Sequence, residues 1–153
     1  MRLHVFVLFL FVPLSSATTV PFEDCGSHYY IESVEISGCN NYPCILTIGS
    51  TYNFTLAMQA SDDHINLRSL NEEVYFKVNH VRKPAFVTSD PCLDNGNMYS
   101  TGNTCAPQSG QTVYYKAELA VNALPPLPAV LYWTLKNSQE ILVCYKVTVI
   151  LQS

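Results

Sequence analysis

Charge is scarce in this chain, and basic charge scarcer still. Of its 153 residues 13% are charged, with eight Lys+Arg against twelve Asp+Glu and a formal net charge of −4. No Lys/Arg cluster occurs, so the footprint that a phosphate backbone requires is missing and a nucleic-acid partner is excluded. The Gly-x-Ser-x-Gly elbow and the glycine-rich phosphate loop are absent too. No Cys-x-x-Cys occurs, and His28, His64 and His80 stand at no ligand spacing to the cysteines, so neither a metal nor a cofactor is expected. Those three histidines are too scattered for a triad, while Asp62-Asp63 and Glu72-Glu73 read as solvated loop charge. The chain is therefore not expected to be an enzyme. His80, at the end of an apolar strand face, reads as a strand-end residue, with an endosomal pH sensor as the sharper alternative. Long hydrophobic runs are missing as well: the apolar stretch 3–14 is well short of the ~20 residues that span a bilayer.

That stretch reads as an address. Arg2 supplies the positive start, residues 3–14 are apolar apart from His4 and Pro13, and Ser15-Ser16-Ala17 places small residues at the cleavage positions. Cleavage after Ala17 gives a leader of 1–17 and one domain over 18–153, whose net charge becomes −5 once Arg2 is gone. A secreted, extracellular protein is expected, with the endosome or lysosome lumen as the alternative.

What the chain has in quantity is apolar residues, 48% of the total, and they recur with a period of two. Tyr52, Phe54, Leu56, Met58 and Ala60 alternate with polar or small neighbours. So do Val74, Phe76 and Val78, and Val113, Tyr115, Ala117, Leu119 and Val121. A hairpin follows: 130–135, a polar turn 136–140, then 141–151, with Ile141, Val143, Tyr145, Val147, Val149 and Leu151 on one face. Weaker strands are expected at 30–36 and 44–48. No window holds a capped helical period over three turns. About seven closely spaced strands indicate an all-β chain folded as an antiparallel β-sandwich.

All six cysteines follow the leader, and an even number in an oxidising compartment implies three disulfides. Fifteen pairings are formally possible; local spacing favours Cys39 with Cys44 and Cys92 with Cys105, which leaves Cys25 for Cys144. Asn53-Phe54-Thr55 is a complete glycosylation sequon, with Asn53 on the polar side of a strong strand. Leu124-Pro125-Pro126-Leu127-Pro128 separates two strong strands, and because proline cannot donate to a ladder this segment belongs at an edge or mouth of the sandwich. Phe86 and Val87, after Lys83-Pro84-Ala85, stand in a similar position. Two readings remain open: ordinary inter-strand loops over a filled core, or a sandwich wedged open for an apolar guest. In the second, Phe86, Val121, Leu124 and Pro125 line the mouth, and the strand-face residues Tyr115, Leu119, Trp133, Tyr145 and Val147 line the cavity.

Several motifs resemble those of the Niemann-Pick type C two family, which belongs to the ML lipid-recognition domains. They are Phe22-Glu23-Asp24-Cys25-Gly26-Ser27 after the leader, Cys39-Asn40-Asn41-Tyr42-Pro43-Cys44, and Tyr52-Asn53-Phe54-Thr55 with its sequon. Asp90-Pro91-Cys92 with Cys105, Tyr114-Tyr115, Leu119-Ala120-Val121, Trp133 and Ile141-Leu142-Val143-Cys144-Tyr145 continue the likeness in order. The resemblance implies an immunoglobulin-like sandwich of two sheets around a lipid cavity, with the disulfides paired as the spacing favours and no catalysis. Phe86 and Val121 match two mouth positions of the family's sterol carriers. At the third, an aromatic gives way to Leu124 before Pro125, Ala120 stands for the usual proline before Val121, and the Pro-rich stretch before Cys92 is reduced to Pro84-Ala85-Phe86-Val87-Thr88. Such departures resemble the expanded arthropod branches, whose members look like carriers of fatty acids and other hydrophobic semiochemicals. The resemblance thus implies a carrier acting as a monomer on one fatty acid, sterol or similar semiochemical, with a membrane receptor or transporter as a further partner. Cholesterol handoff to a membrane transporter is the alternative. Innate immune recognition of bacterial lipid ranks after it, since Arg82-Lys83 is the only adjacent basic pair for a phosphate.

Overall fold

The computed structural model describes residues 17–61, 70–88, 98–100, 107–138 and 140–153. The leader before Ala17, Asp62-Asp63, His64 and the Cys92–Cys105 pair therefore lie outside the described residues. Within these bounds the chain forms twelve strands and no helix. Seven are those expected from alternation, here β3 (Tyr30–Ser37), β4 (Cys44–Thr47), β5 (Thr51–Gln59), β6 (Asn71–Val78), β10 (Thr112–Ala120), β11 (Pro128–Lys136) and β12 (Ile141–Gln152). Five short ones join them: β1 (Ala17–Thr19), β2 (Glu23–Asp24), β7 (Val81–Pro84), β8 (Phe86–Thr88) and β9 (Met98–Ser100).

Two sheets result. One runs β1-β3-β5-β10-β8, with β9 also on β10, and the other β2-β12-β11-β6-β7, with β4 also on β12. The ladders are antiparallel except β4 on β12, which is parallel. Each long strand buries one set of alternate side chains, and the two sets meet in a single core that includes Val34, Ile36, Phe54, Leu56, Phe76, Leu119, Leu131, Trp133 and Val147. Ridding these side chains of water is the main favourable term, about 1.5–3 kcal/mol for each large apolar group fully buried.

Two bulges reset the alternation. The β3–β5 register shifts between Ile31 and Ser33, so Glu32 is extra; Ile31 therefore faces the core with Val34 and Ile36 although it is three residues before Val34. On β12, Lys136 opposes Ile141 and Leu135 opposes Val143, so Leu142 is extra. This corrects the expected apolar face of the return strand: Ile141 shares the outward face of Lys136 and is 41% exposed, while Leu142 is buried in its place.

At one end of the sandwich the chain crosses between sheets at residues 48–50, from β4 to β5, and at two further places. Strand β7 pairs with β6, and Ala85 donates its amide to the Val74 carbonyl (3.0 Å) before β8 pairs with β10. The prolines 125, 126 and 128 then lead from β10 over to β11, where Pro128 opens the strand and needs no donor. His80 sits in the two-residue turn between β6 and β7, exposed, with φ of 46° at Asn79 and 66° at His80, the left-handed pair that a tight hairpin requires.

Candidate functional site

The residues proposed from sequence to hold a ligand fall on both sheets and along the whole interior. Tyr115 and Leu119 on β10, Trp133 on β11, and Tyr145 and Val147 on β12 are buried between the sheets. Val121 and Leu124, just past β10, are buried at the end where the chain crosses over, and Pro125 is half-buried beside them. From Val121 back to Tyr115 is about 20 Å at the ~3.3 Å rise of a strand. Phe86 stands apart: it opposes Ala120 on the outward face and is 67% exposed, whereas Val87 opposes Leu119 and packs on the core.

The deep half of this interior is aromatic. The Trp133 ring lies 5.1 Å from Phe54 and 6.1 Å from Tyr145, stacked on the latter at 8°, and meets Tyr115 edge-on at 6.3 Å. Phe22 closes on Tyr145 from the N-terminal side at 6.4 Å. Burial, with the Glu72 carboxylate adding to it, pushes the Tyr145 phenol well above its ordinary value, so it stays protonated across the physiological range.

Glu72 was missed as part of this interior, and the reading of Glu72-Glu73 as solvated loop charge is corrected: both lie on β6 and are half-buried. Glu72 keeps the phase of Val74, Phe76 and Val78, so it points to the inner side, where it accepts a hydrogen bond from the Tyr115 hydroxyl of the opposite sheet. Glu73 points outward and pairs with Lys136 (3.0 Å) and Arg82 (3.5 Å). The phase of the two carboxylates was the available signal, since neighbours on a strand face opposite ways.

At this same end the Asp24-Cys25-Gly26-Ser27 motif becomes a clamp. Asp24 Oδ1 accepts from the amides of Gly26 (2.7 Å) and Ser27 (2.9 Å). Partial burial works against ionisation, but these amides and the Ser27 hydroxyl outweigh it and hold the Asp24 carboxyl below its ordinary value. Gly26, at φ +114°, takes a conformation closed to L side chains. The turn delivers Cys25 to Cys144, with Cα atoms 5.0 Å apart, and Ser27, whose hydroxyl donates to the Cys144 carbonyl and accepts from its amide. The amides of His28 and Tyr29 both donate to the carbonyl of the bulged Leu142. Cys39 pairs with Cys44, as expected.

On the outer face of the second sheet Tyr75 and Tyr132 stack at 4.8 Å, with the Arg82 guanidinium 3.9 Å over Tyr75 and Lys146 beside Tyr132. A groove of about 220 Å³ lies there between Phe22, Tyr42, Tyr132 and Lys146. The Glu23 carboxylate, 2.5 Å from Lys146, raises the ammonium above its ordinary value. Asn53 is exposed on β5, opposite Glu118, while Phe54 beside it is buried.

Two apolar sheets with an aromatic interior between them, and the Cys25–Cys144 and Cys39–Cys44 disulfides, define a disulfide-bonded β-sandwich. The ML-domain family model matches residues 19–151, and the chain belongs to the ML-domain family, whose members are lipid-binding proteins and not enzymes. Among solved structures the chain is similar to a Niemann-Pick type C2 protein from the Japanese carpenter ant. The TM-score is 0.68 at 23% identity, over 86% of this chain and 99% of that one, a likeness of fold. The search of curated proteins returned no match.

Proposed function

We propose that this protein is a secreted carrier that takes one hydrophobic molecule, a fatty acid, a sterol or a related semiochemical, between its two sheets and moves it through aqueous fluid. The observation that carries this reading is the continuous buried apolar cluster from Val121 and Leu124 at the crossover end to Trp133 and Tyr145 in the interior, in a chain of a lipid-binding family. Burial of hydrocarbon at about 0.8 kcal/mol per CH₂ supplies ample affinity for a long chain, even after the ordering costs of binding are met. Phe86 and Val87 flank the entrance, with Lys83 nearby to meet a polar head. The disulfides, the short apolar leader and the glycosylation sequon at exposed Asn53 fit the secretory route.

Trp133 is the only tryptophan in the chain and is fully buried, so its fluorescence reports on the interior alone. A brominated fatty chain should quench it saturably at one-to-one stoichiometry, and native mass spectrometry of the secreted, oxidised protein should show one lipid adduct that oleate or cholesterol displaces. Absence of both quenching and adduct would overturn the carrier reading.

A further inference from the structure

The outward face of the second sheet carries a row of side chains that the carrier reading does not use. The strand registers place Pro84, Tyr75, Tyr132, Lys146 and Glu23 side by side across β7, β6, β11, β12 and β2. Tyr75 covers one side of the Tyr132 ring, stacked at 4.8 Å and 7°, and the Arg82 guanidinium covers Tyr75 in turn. The stack therefore ends on Tyr132. On the other side of that ring, toward β12, lies the groove of about 220 Å³, with Val130 and Thr148 paired beneath it and Phe22 and Tyr42 at its far edge. Lys146 borders the ring without lying on it: Nζ stands 5.9 Å from the ring centre, at the limit of cation–π reach, and donates to the Glu23 carboxylate.

We propose that this groove is a second ligand site, on the outside of the sandwich, and that it takes one ring of an uncharged sugar, a hexopyranose laid against Tyr132 with its hydroxyls on Lys146, Glu23 and Thr148. The groove is smaller than the ~300–1,000 Å³ of drug-sized sites, so it has room for a single ring and none for a lipid chain. Its wall is an aromatic face, whose negative quadrupole attracts the C–H hydrogens on the apolar side of a pyranose. Its polar groups are mixed: the ammonium only donates, the carboxylate only accepts, and the Thr148 hydroxyl does both, so sugar hydroxyls, which also do both, can answer each of them. The two cations of the row are already matched, Lys146 by Glu23 and Arg82 by Glu73, so an anion gains little there. A hydrocarbon would take the same polar groups out of water and pair with none of them. Because this face lies outside both sheets, the inference stands independently of the carrier reading.

The test is an amide chemical-shift titration of the secreted, oxidised protein with the methyl glycosides of glucose, galactose and mannose, with sorbitol, and with inorganic phosphate. At least one glycoside should shift the amides of Val130, Tyr132, Lys146 and Thr148 saturably, with the millimolar Kd expected of so small a ligand. Sorbitol offers the hydroxyls without a fixed ring face and should bind about tenfold more weakly or worse. Tyr132→Leu keeps apolar bulk but loses the ring, and should weaken the glycoside about fivefold or more. Thr148→Val, at an exposed position that leaves the core untouched, should weaken it a few-fold. Trp133 fluorescence should not respond to the sugar. No saturable shift with any glycoside, sorbitol binding as well as the best of them, phosphate binding more tightly than all three, or an affinity that neither folded variant lowers would each overturn the proposal. A glycoside that changes Trp133 fluorescence overturns it as well, because the sugar is then in the interior. Failure of a brominated lipid to quench Trp133 bears on the carrier reading alone.

Discussion

Phe86 and Val121 both belong to the proposed mouth, yet the structure predicts opposite responses to truncation. Val121 is fully buried, so Val121→Ala removes two methyl groups already shielded from water; at about 0.8 kcal/mol for each, plus the void left behind, the loss is about 2 kcal/mol of stability. Phe86 is 67% exposed, so only about a third of its burial energy is realised in the free protein, and Phe86→Ala should lower stability by about 0.5–1 kcal/mol. The remaining two thirds become available when a lipid passes or covers the ring, at about 1–2 kcal/mol, or roughly a five- to thirtyfold loss of affinity. Urea titration followed by far-ultraviolet circular dichroism gives the first quantity, and probe displacement by oleyl alcohol gives the second. Val121→Ala should then be the less stable variant, with affinity within a few-fold of wild type. Phe86→Ala should be near wild type in stability and clearly weaker in binding. If Phe86→Ala leaves affinity unchanged, its outward position opposite Ala120 keeps it off the ligand path and the entrance is made by Val87 and Val121 alone.

The disulfides should rank by loop size. Cys25–Cys144 closes a separation of 119 residues and Cys39–Cys44 one of 5, so the chain-entropy relation gives about 5 and about 2 kcal/mol for the paired Cys→Ala variants in urea unfolding, and equal losses would argue against an unfolded-state origin. Asp24→Ala should lower stability by about 0.5–1 kcal/mol, at the modest end because the turn is exposed. Since its folded pKa lies below the ordinary value, this contribution is complete above the unfolded pKa and is lost only as pH falls through the folded one. The variant and wild type should therefore differ equally at pH 7 and pH 5.5 and converge only as pH falls below the ordinary Asp pKa of about 3.9. Gly26→Ala meets no atom within 4 Å but must adopt φ +114°, so a loss of about 1–3 kcal/mol is expected from backbone strain alone, read by the same titration.

The six long strands were legible because alternation over eight or more residues, as in Thr51–Gln59, leaves no other way to bury one side, and β4 was legible through its alternating Cys44 and Leu46. Most of the short ones were not: Glu23–Asp24 carries no period and gains its ladder from a neighbour far away in sequence, here Tyr145 and Lys146. Bulges are silent for the same reason. Nothing local marks Leu142 as the extra residue, and its effect, turning Ile141 outward, depends on the register chosen with Lys136. At the site, apolar members such as Trp133 and Leu119 were readable from phase. Glu72 was passed over because residue type outweighed phase, although its phase matched that of Val74. The Asp24-Cys25-Gly26-Ser27 motif was visible as a pattern, but that its bonds reach Cys144, and those of the following His28 and Tyr29 the Leu142 bulge, became plain only in three dimensions.

These placements make the two ends of the sandwich unequal, and the inequality predicts where a ligand enters. The deep end is cross-tied by Cys25–Cys144, the Ser27 hydroxyl on both backbone groups of Cys144, two amides on Leu142 and the Tyr115–Glu72 bond between sheets. Opening there would break several of these together. At the crossover end the sheets are joined by β8, a three-residue edge strand, by residues 48–50, which bond to Gln152 on one sheet and to Val121 beside the other, and by the proline run, where the Leu127 amide donates to Pro125 and the Leu151 amide to Leu127. Proline restricts the chain without adding ladder bonds, so this strap is stiff yet weakly bonded to either sheet. Local opening has a free energy that scales with the bonds and apolar contacts it disrupts. Amides of 86–88 and 122–124 should therefore exchange with solvent much faster than those of 142–147, and bound lipid should slow the former selectively. Faster exchange at 142–147 would place the entrance at the opposite end and take Val121 and Leu124 out of the ligand's path.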